Sequence, residues 1–482
     1  MRIAAALLAL FVSMVPPASA QERAARGPAT FTILHFNDVY EITPIEGGHA
    51  GGLARVARFR AELKGKDPTL LTTLGGDFVS PSALGTARVN GEALRGRQMV
   101  AVLNAAGVDW ATLGNHEFDI PEAALRARLT EAAFKVVVSN VTDASGALFP
   151  NTVRSAVVPI KTPGGTVRVG LIGLTIDSNK QPWVRYTPPL DAAEAAIGEI
   201  KGKYDVLVAI THLSLADDQH LVEQVPAIDI VLGGHEHENY VLERGLHFTP
   251  IVKADANVRT LAIVTVRVPK GGTQRATFST RMQRVDDSLK EGPKTSAEVK
   301  KWLDLGNAAF RAQGFEPTSV VATIDEPLYG REAAVRNGPT RLTELIAEAM
   351  RRDTGLPIAV YNAGSIRIDD VVPPGPVTQY DVIRILPFGG KTLKITVTGA
   401  LLKKMLEIGE QNRGSGGYLH TAGVPDVIDP AKRYTLALSE FLLTGGEANL
   451  GFLTRQNPEI TDVSEARDIR LEVIDELKRR WR

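Results

Sequence analysis

The sequence predicts an α/β protein of two domains, and three observations carry that expectation. From Phe31 to about Val268, short β-branched runs alternate with Ala-rich stretches of helical period. At 482 residues the chain exceeds one ordinary domain. After Arg284, a looser segment and a single helical stretch separate this alternating region from a second set of elements.

In order, the runs FTILHF (31–36), TLLTTL (69–74), VDWATL (108–113), KVVVSN (135–140), VRVGLIGL (167–174), YDVLVAI (204–210) and IDIVL (228–232) read as strands. Between the first two lies LARVARFRAEL, whose Leu53, Val56, Phe59 and Leu63 share one helical face. Past RVDDSLKEGPKT, Thr295 and Glu298 have the spacing of a capping box. Val299, Trp302, Leu303, Ala309 and Phe310 follow at helical spacing, and Gly314 is placed to stop the helix. From about Pro317 a second domain begins, with helical RLTELIAEAMRRDTG, strand-like PIAVYNAG, strands around ILPFGGKTLKITVTG and helical ALLKKMLEIGE. The glycines at 414–417 lack the strand-turn-helix setting of a dinucleotide fingerprint and read as a mobile loop.

Lys and Arg together number 55, as do Asp and Glu, so no global field draws the protein to nucleic acid or an anionic membrane. The first twenty residues combine Arg2, an apolar stretch from Ile3 to Val15 and the small residues Ala18-Ser19-Ala20. This is the pattern of a secretory signal peptide cut after Ala20. The apolar stretch is too short to span a bilayer, and no later segment is long enough, so no membrane association is expected after cleavage. A periplasmic or secreted location follows. With no Cys, the chain has neither disulfides nor thiolate metal sites.

The first-domain runs end in a recurring way. FTILHF runs into Asn37-Asp38, TLLTTL into Gly75-Gly76-Asp77, VDWATL into Gly114-Asn115-His116, VLVAIT into His212, and IDIVLGG into His235-Glu236-His237. One at a time these residues have plain explanations: Asp caps turns and helices, and a single His is usually a satisfied structural group. Asp119, just before Ile120-Pro121-Glu122, fits a helix cap with Pro in the first turn. Capping does not account for oxygen and nitrogen donors at the ends of five runs, often behind Gly. In an open α/β sheet the carboxyl ends of strands line one crevice, where such donors converge. Carboxylate, amide and imidazole without thiolate suit divalent Mn, Zn, Co, Ni or Fe. Six or seven donors exceed one ion's needs; two ions sharing a bridging Asp would activate water for displacement at phosphorus.

ILHFND, GGD, GNHEFD, THL and GGHEH stand in the order and approximate spacing of the calcineurin-like metallophosphoesterases. With RNGPTRLTELIAEAM, YNAGSIR and LPFGG following, the mature chain resembles the two-domain 5′-nucleotidase family. The resemblance implies a metallophosphoesterase α/β sandwich at 28–285, a linker helix within 286–316 and a smaller α+β substrate-binding domain at 317–482. It implies that Asp38, Asp77 and His237 hold one metal ion and that Asp77, Asn115, His212 and His235 hold the other, with Asp77 as the bridge. His116, oriented by Asp119, would act on the phosphoryl group and leaving oxygen. Arg336, Asn362 and Arg367 would contact substrate, and Phe388 would stack on a base. The second domain would rotate about the linker to bring substrate to the metals.

Three departures from the family pattern stand out. Where the family usually reads Asp-x-His, this chain has Asp38-Val39-Tyr40, leaving a phenol in place of a ligating imidazole. Where it reads Gly-Gly-Asp-Gly-Phe, this chain has Gly445-Gly446-Glu447-Ala448-Asn449, so the second base-stacking ring and the ribose-binding Asp are missing, with Phe452 nearby. Pro339 replaces the usual Glu after the first substrate Arg. The expected activity is hydrolysis of nucleoside 5′-monophosphates or related nucleotides. The alternatives are the same site acting on 2′,3′-cyclic nucleotides, nucleotide sugars or a non-nucleotide ester, or a one-metal binding protein without turnover.

Overall fold

The computed structural model describes residues 28–269 and 274–481. The proposed signal peptide lies outside them. Two sheets form the first domain. One has seven strands in the spatial order Thr152–Val153, Lys135–Val137, Trp110–Ala111, Leu71–Leu74, Ala29–Phe36, Thr260–Val268 and Thr277–Arg284. Its first five strands are mutually parallel, the sixth is antiparallel to the fifth, and the seventh is antiparallel to the sixth. The other has six, ordered Ser155–Thr162, Gly165–Thr175, Val206–His212, Ile230–Gly233, Thr249–Lys253 and Tyr240–Arg244.

Period-two alternation explains the layering, because successive side chains leave a strand on opposite faces. Phe31 and Ile33 meet Val208, Ile210, Ile230 and Leu232 in an apolar layer between the two sheets. Leu34 and Phe36 face the other way, onto Leu53 and Val56 of helix Leu53–Lys66 and Met99 and Leu103 of helix Arg97–Ala106. Leu207 and Ala209 turn outward to helices Pro189–Ile200 and Leu215–Gln224. The result is a sheet pair with helices on both outer faces, as an α/β sandwich requires.

Helix Pro293–Ala312 buries Val299, Trp302, Ala309 and Phe310 and leads into the second domain. It starts three residues earlier than the capping-box reading predicts, because Pro293 at the first turn presets the helical φ. Thr295 therefore lies inside the helix and caps nothing, while Glu298 accepts the indole N–H of Trp302 at 2.8 Å. Gly306 packs against Leu84 so closely that a Cβ there would lie 2.1 Å from Leu84 Cδ1.

The second domain is a five-stranded mixed sheet between helices, ordered Leu419–Ala422, Ile358–Asn362, Arg433–Ser439, Lys391–Thr398 and Ile460–Asp468. Helix Arg341–Thr354 is capped by Thr340 and closed by Gly355 in the left-handed region. Of the segment expected to form strands around 385–399, only Lys391–Thr398 is extended; Ile385 closes helix Gln379–Ile385, which Thr378 and Asp381 start with a reciprocal cap. No helix among the described residues is long and apolar enough to cross a membrane.

Candidate active site

The strand ends meet. Asp38, Asp77 and Asn115 follow strands of the seven-stranded sheet; His212 ends, and His235 and His237 follow, neighbouring strands of the six-stranded sheet. Ligand atoms of Asp38, Asp77 and His212 all lie within 4.8 Å of one another, and all three residues are buried. His237 Nε2 is 3.4 Å from Asp38 Oδ1, and His212 Nε2 is 3.2 Å from Asp77 Oδ2. The His235 backbone N–H donates to Asp38 Oδ2 at 2.9 Å, and the rings of His212 and His235 are 5.3 Å apart.

Getting these groups together strains the backbone. Asp38 (φ +52°), Asp77 (+53°), His235 (+89°) and His237 (+62°) all occupy the left-handed region, which costs a non-Gly residue about 1–3 kcal/mol. Glycine is required behind them: a Cβ on Gly114 would sit 2.1 Å from Asp77 Oδ1, and one on Gly234 would sit 2.8 Å from Asp38 Oδ2.

The electrostatics follow from stacking carboxylates and imidazoles out of water. Burial opposes charge on Asp38, but His212 and the His237 hydrogen bond hold its carboxyl well below the usual range. For Asp77 burial is likewise outweighed, by His212 and His116. Burial also opposes a proton on His212, yet the Asp77 and Asp38 carboxylates raise its pKa to about 9. Burial and the His212 charge lower His235 to about 4.

His212 Nδ1–H donates to the Gly75 carbonyl at 2.7 Å, which fixes the tautomer and leaves Nε2 facing the carboxylates. Buried Asn115 Oδ1 lacks a hydrogen-bond partner, and buried His212 Nε2 has only the Asp77 carboxylate 3.2 Å away, outside good hydrogen-bond geometry. Orphaned buried donor atoms beside paired carboxylates are the signature of a cation cradle. The residues therefore fit divalent ions.

Tyr40 stands inside this cradle. Its hydroxyl is 2.9 Å from His237 Nε2, 3.0 Å from Asp77 Oδ2 and 3.2 Å from Asp38 Oδ1. Burial and then the Asp77 and Asp38 charges push the phenol well above its ordinary pKa, so it is neutral.

Beside the cradle, His116 Nδ1 contacts Asp119 Oδ2 at 2.7 Å, and the His116 backbone N–H donates to Asp77 Oδ1 at 2.8 Å. Burial works against a proton on His116, but Asp77 and Asp119 raise its pKa. Asp119 does not cap the following helix, whose N-cap is Pro121. Its oxygens instead take Ser80 Oγ–H at 3.2 Å, Asn179 Nδ2–H at 2.9 Å and the His116 ring.

Sequence reasoning missed Glu117, between those two. Its buried carboxylate accepts the backbone N–H groups of Asp77 (2.9 Å), Phe78 (2.7 Å), Val79 (3.1 Å) and Gly114. Nothing in the sequence separates Glu117 from any acid in a turn; its role exists only once two strand ends are side by side.

Where the second domain faces Asp119 of the first, a cavity of about 630 Å³ is lined by Asp119, Asn362, Arg367, Phe388, Phe441 and Glu447, among others. Phe388 is 53% exposed and Phe441 48% exposed, so two large rings are left open to the same cavity. Arg367 lies over the Phe388 ring at 5.7 Å, and Asn362 Nδ2–H donates to Glu447 Oε2 at 2.7 Å. Arg336 is not among the lining residues; it pairs with Glu332. Phe452 is absent from the cavity too, packed against the domain core under Lys404.

The calcineurin-like phosphoesterase family model matches residues 31–239, and that of the 5′-nucleotidase C-terminal domain matches 320–432. The chain is 28% identical to the uncharacterized metallophosphoesterase YunD of Bacillus subtilis over 65% of this chain and 66% of YunD. It is 26% identical to the venom 5′-nucleotidase of Crotalus adamanteus, over 85% of this chain and 75% of that protein. Among solved structures, a 5′-nucleotidase precursor from Thermus thermophilus superposes with a TM-score of 0.75 at 23% identity, covering 93% of this chain and 96% of its own. The sulfate thiohydrolase SoxB of the same organism gives 0.73 at 16% identity, covering 94% and 95%. With a phosphoesterase sandwich carrying the cation cradle and a 5′-nucleotidase C-terminal domain behind it, the chain has the domain composition of the 5′-nucleotidases, and these matches mark it as a metal-dependent phosphoester hydrolase.

Proposed function

We propose that the protein is an exported enzyme that removes phosphate from nucleoside 5′-monophosphates or related nucleotides with two divalent cations. The observation that carries this reading is the adjacency of three features: the Asp38-Asp77-His212 cluster, the His116-Asp119 pair, and a cavity with two exposed rings that Asp119 also lines. The proposed units are a signal peptide at 1–20, a phosphoesterase domain at 28–285, a linker at 286–316 and a substrate domain at 317–482.

In this reading Asp38, Asp77 and His237, with Tyr40 at hand, hold the first ion, and Asp77, Asn115, His212 and His235 hold the second. When bound, such ions supply Lewis acidity, making water nucleophilic near neutral pH and offsetting charge on phosphoryl oxygens. The chain's own residues do the rest. Asp119 anchors His116 at Nδ1, so Nε2 is the atom left to carry a proton to the leaving oxygen, and the Asp77 and Asp119 charges favour the protonated ring. Arg367 supplies forked donors for phosphate, Phe388 and Phe441 supply apolar faces for a base, and Glu447, engaged with Asn362, can accept from a sugar hydroxyl.

Phosphate release from AMP, UDP-glucose and a 2′,3′-cyclic nucleotide, measured after loading with each of several metals, tests the proposal. Turnover of none of them with any metal would overturn it. The similar fold of a sulfate thiohydrolase keeps a sulfur-containing ester within the panel. A second reading rests on Tyr40, whose neutral phenol occupies hydrogen-bonding positions to three first-site groups: a one-ion binding protein without turnover. Elemental analysis separates the two, at about two ions per chain against about one.

A further inference from the structure

His237 and His212 are fixed by different means. His212 Nδ1 is held by Gly75 of its own domain, whereas His237 Nδ1 is 3.0 Å from Asp369 Oδ2, a carboxylate of the second domain. Asp369 is buried, with φ +39°, a conformation an Asp keeps only when its surroundings enforce it. They do: Oδ1 accepts the Glu332 backbone N–H at 3.0 Å, and Oδ2 is also 3.4 Å from Arg259 Nη2 of the first domain. The next residue, Asp370, accepts Arg384 at 2.9 Å and the Glu46 backbone N–H at 3.0 Å, and Arg384 reaches Glu41 of the first domain at 3.5 Å. The Asp369-Asp370 pair is thus clamped between the domains next to the cation cradle.

We propose that Asp369 is a positioning residue for the first cation, supplied across the domain boundary: it holds His237 at Nδ1 so that Nε2 addresses Asp38 and Tyr40. The inference rests on the ligand assignment proposed above. A carboxylate on the outer nitrogen of a ligating imidazole fixes the tautomer and strengthens the ligand. That support matters most here, where Tyr40 leaves the first site with one imidazole fewer. Because Asp369 travels with the second domain, the first ion is held tighter in the domain arrangement seen here than in one that withdraws Asp369, and by reciprocity that ion favours this arrangement.

The test is stepwise Mn(II) uptake by the full mature chain under chelator competition, for the wild type and Asp369→Asn. The wild type should take up two ions; if it does not, the ligand assignment itself fails, independently of Asp369. Given two, Asp369→Asn should weaken one step about 10–100-fold and leave the other unchanged. Both steps unchanged, or both weakened alike, would overturn the positioning role. A measurement on the wild type alone guards against misfolding of the variant: X-ray scattering should show a more compact particle with Mn(II) than without. Identical curves would overturn the coupling between the ion and the domain arrangement.

Discussion

The Glu117 carboxylate takes the backbone N–H of Asp77 at 2.9 Å and that of Gly114, tying together the two strand ends that carry the cradle's shared carboxylate and its amide. Burial and the Asp77 charge push the Glu117 carboxyl up to about 7 against the pull of those amides, so it is held by geometry at an electrostatic cost. Glu117→Gln cannot accept all four N–H groups and turns its amide nitrogen toward some of them. The expected loss is about 2–3 kcal/mol, read from the urea midpoint of the metal-loaded protein.

His116→Ala should keep its ions and lose turnover by about 10²–10⁴-fold. Elemental analysis alongside phosphate release checks it; undiminished activity would show that the pair with Asp119 is structural.

Tyr40→His restores an imidazole where the hydroxyl now sits 2.9 Å from His237. It should tighten the first ion or widen the set of metals that support activity, measured as residual metal after dialysis against chelator. If neither changes, Tyr40 does not face the ion.

Phe441→Ala removes one of the two exposed rings in the cavity. KM for AMP should rise by an amount equivalent to about 1–3 kcal/mol of stacking, while KM for p-nitrophenyl phosphate stays the same. An equal effect on both substrates would argue against a base-binding role.

Cation uptake should be pH-linked. With a pKa of about 9, His212 carries a proton at neutral pH that an ion on Nε2 must displace. Titrating the protein with Mn(II) at pH 7 in an unbuffered cell should release about one proton per chain from this site, and affinity should climb as pH rises toward 9. The sign for the cation-free protein is opposite. His212's raised pKa contributes stability that is whole below its ordinary 6.5 and is lost as pH rises through about 9. The melting-temperature gain from Mn(II) should therefore widen between pH 6.5 and 9; a constant gain would exclude the linkage.

Much of the cradle is legible in the sequence because its donors stand at the carboxyl ends of parallel strands, so Asp38, Asp77, Asn115, His212, His235 and His237 can be read as one set from where their runs stop; that they come from two stacked sheets, and not from one, is visible only in the fold. Local signals misled where tertiary contacts intervene. The Asp119 carboxylate reads as a cap and is spent on His116, Ser80 and Asn179. VDWATL reads as a six-residue strand; the regular strand covers only Trp110–Ala111, with single backbone bonds from Asp109 to Thr72 and from Thr112 to Leu74 flanking it. Glu117, Asp369 and Phe441 have no local signature at all; each matters through neighbours distant along the chain or through a cavity formed by separate segments.

The sandwich's two sheets meet through an apolar layer, whose attraction is non-directional. The cradle draws Asp38, Asp77 and Asn115 from one leaf and His212, His235 and His237 from the other. Ions bound there would rivet the leaves at one rim, so that the groups proposed to perform the chemistry would also lock the register of the scaffold that presents them.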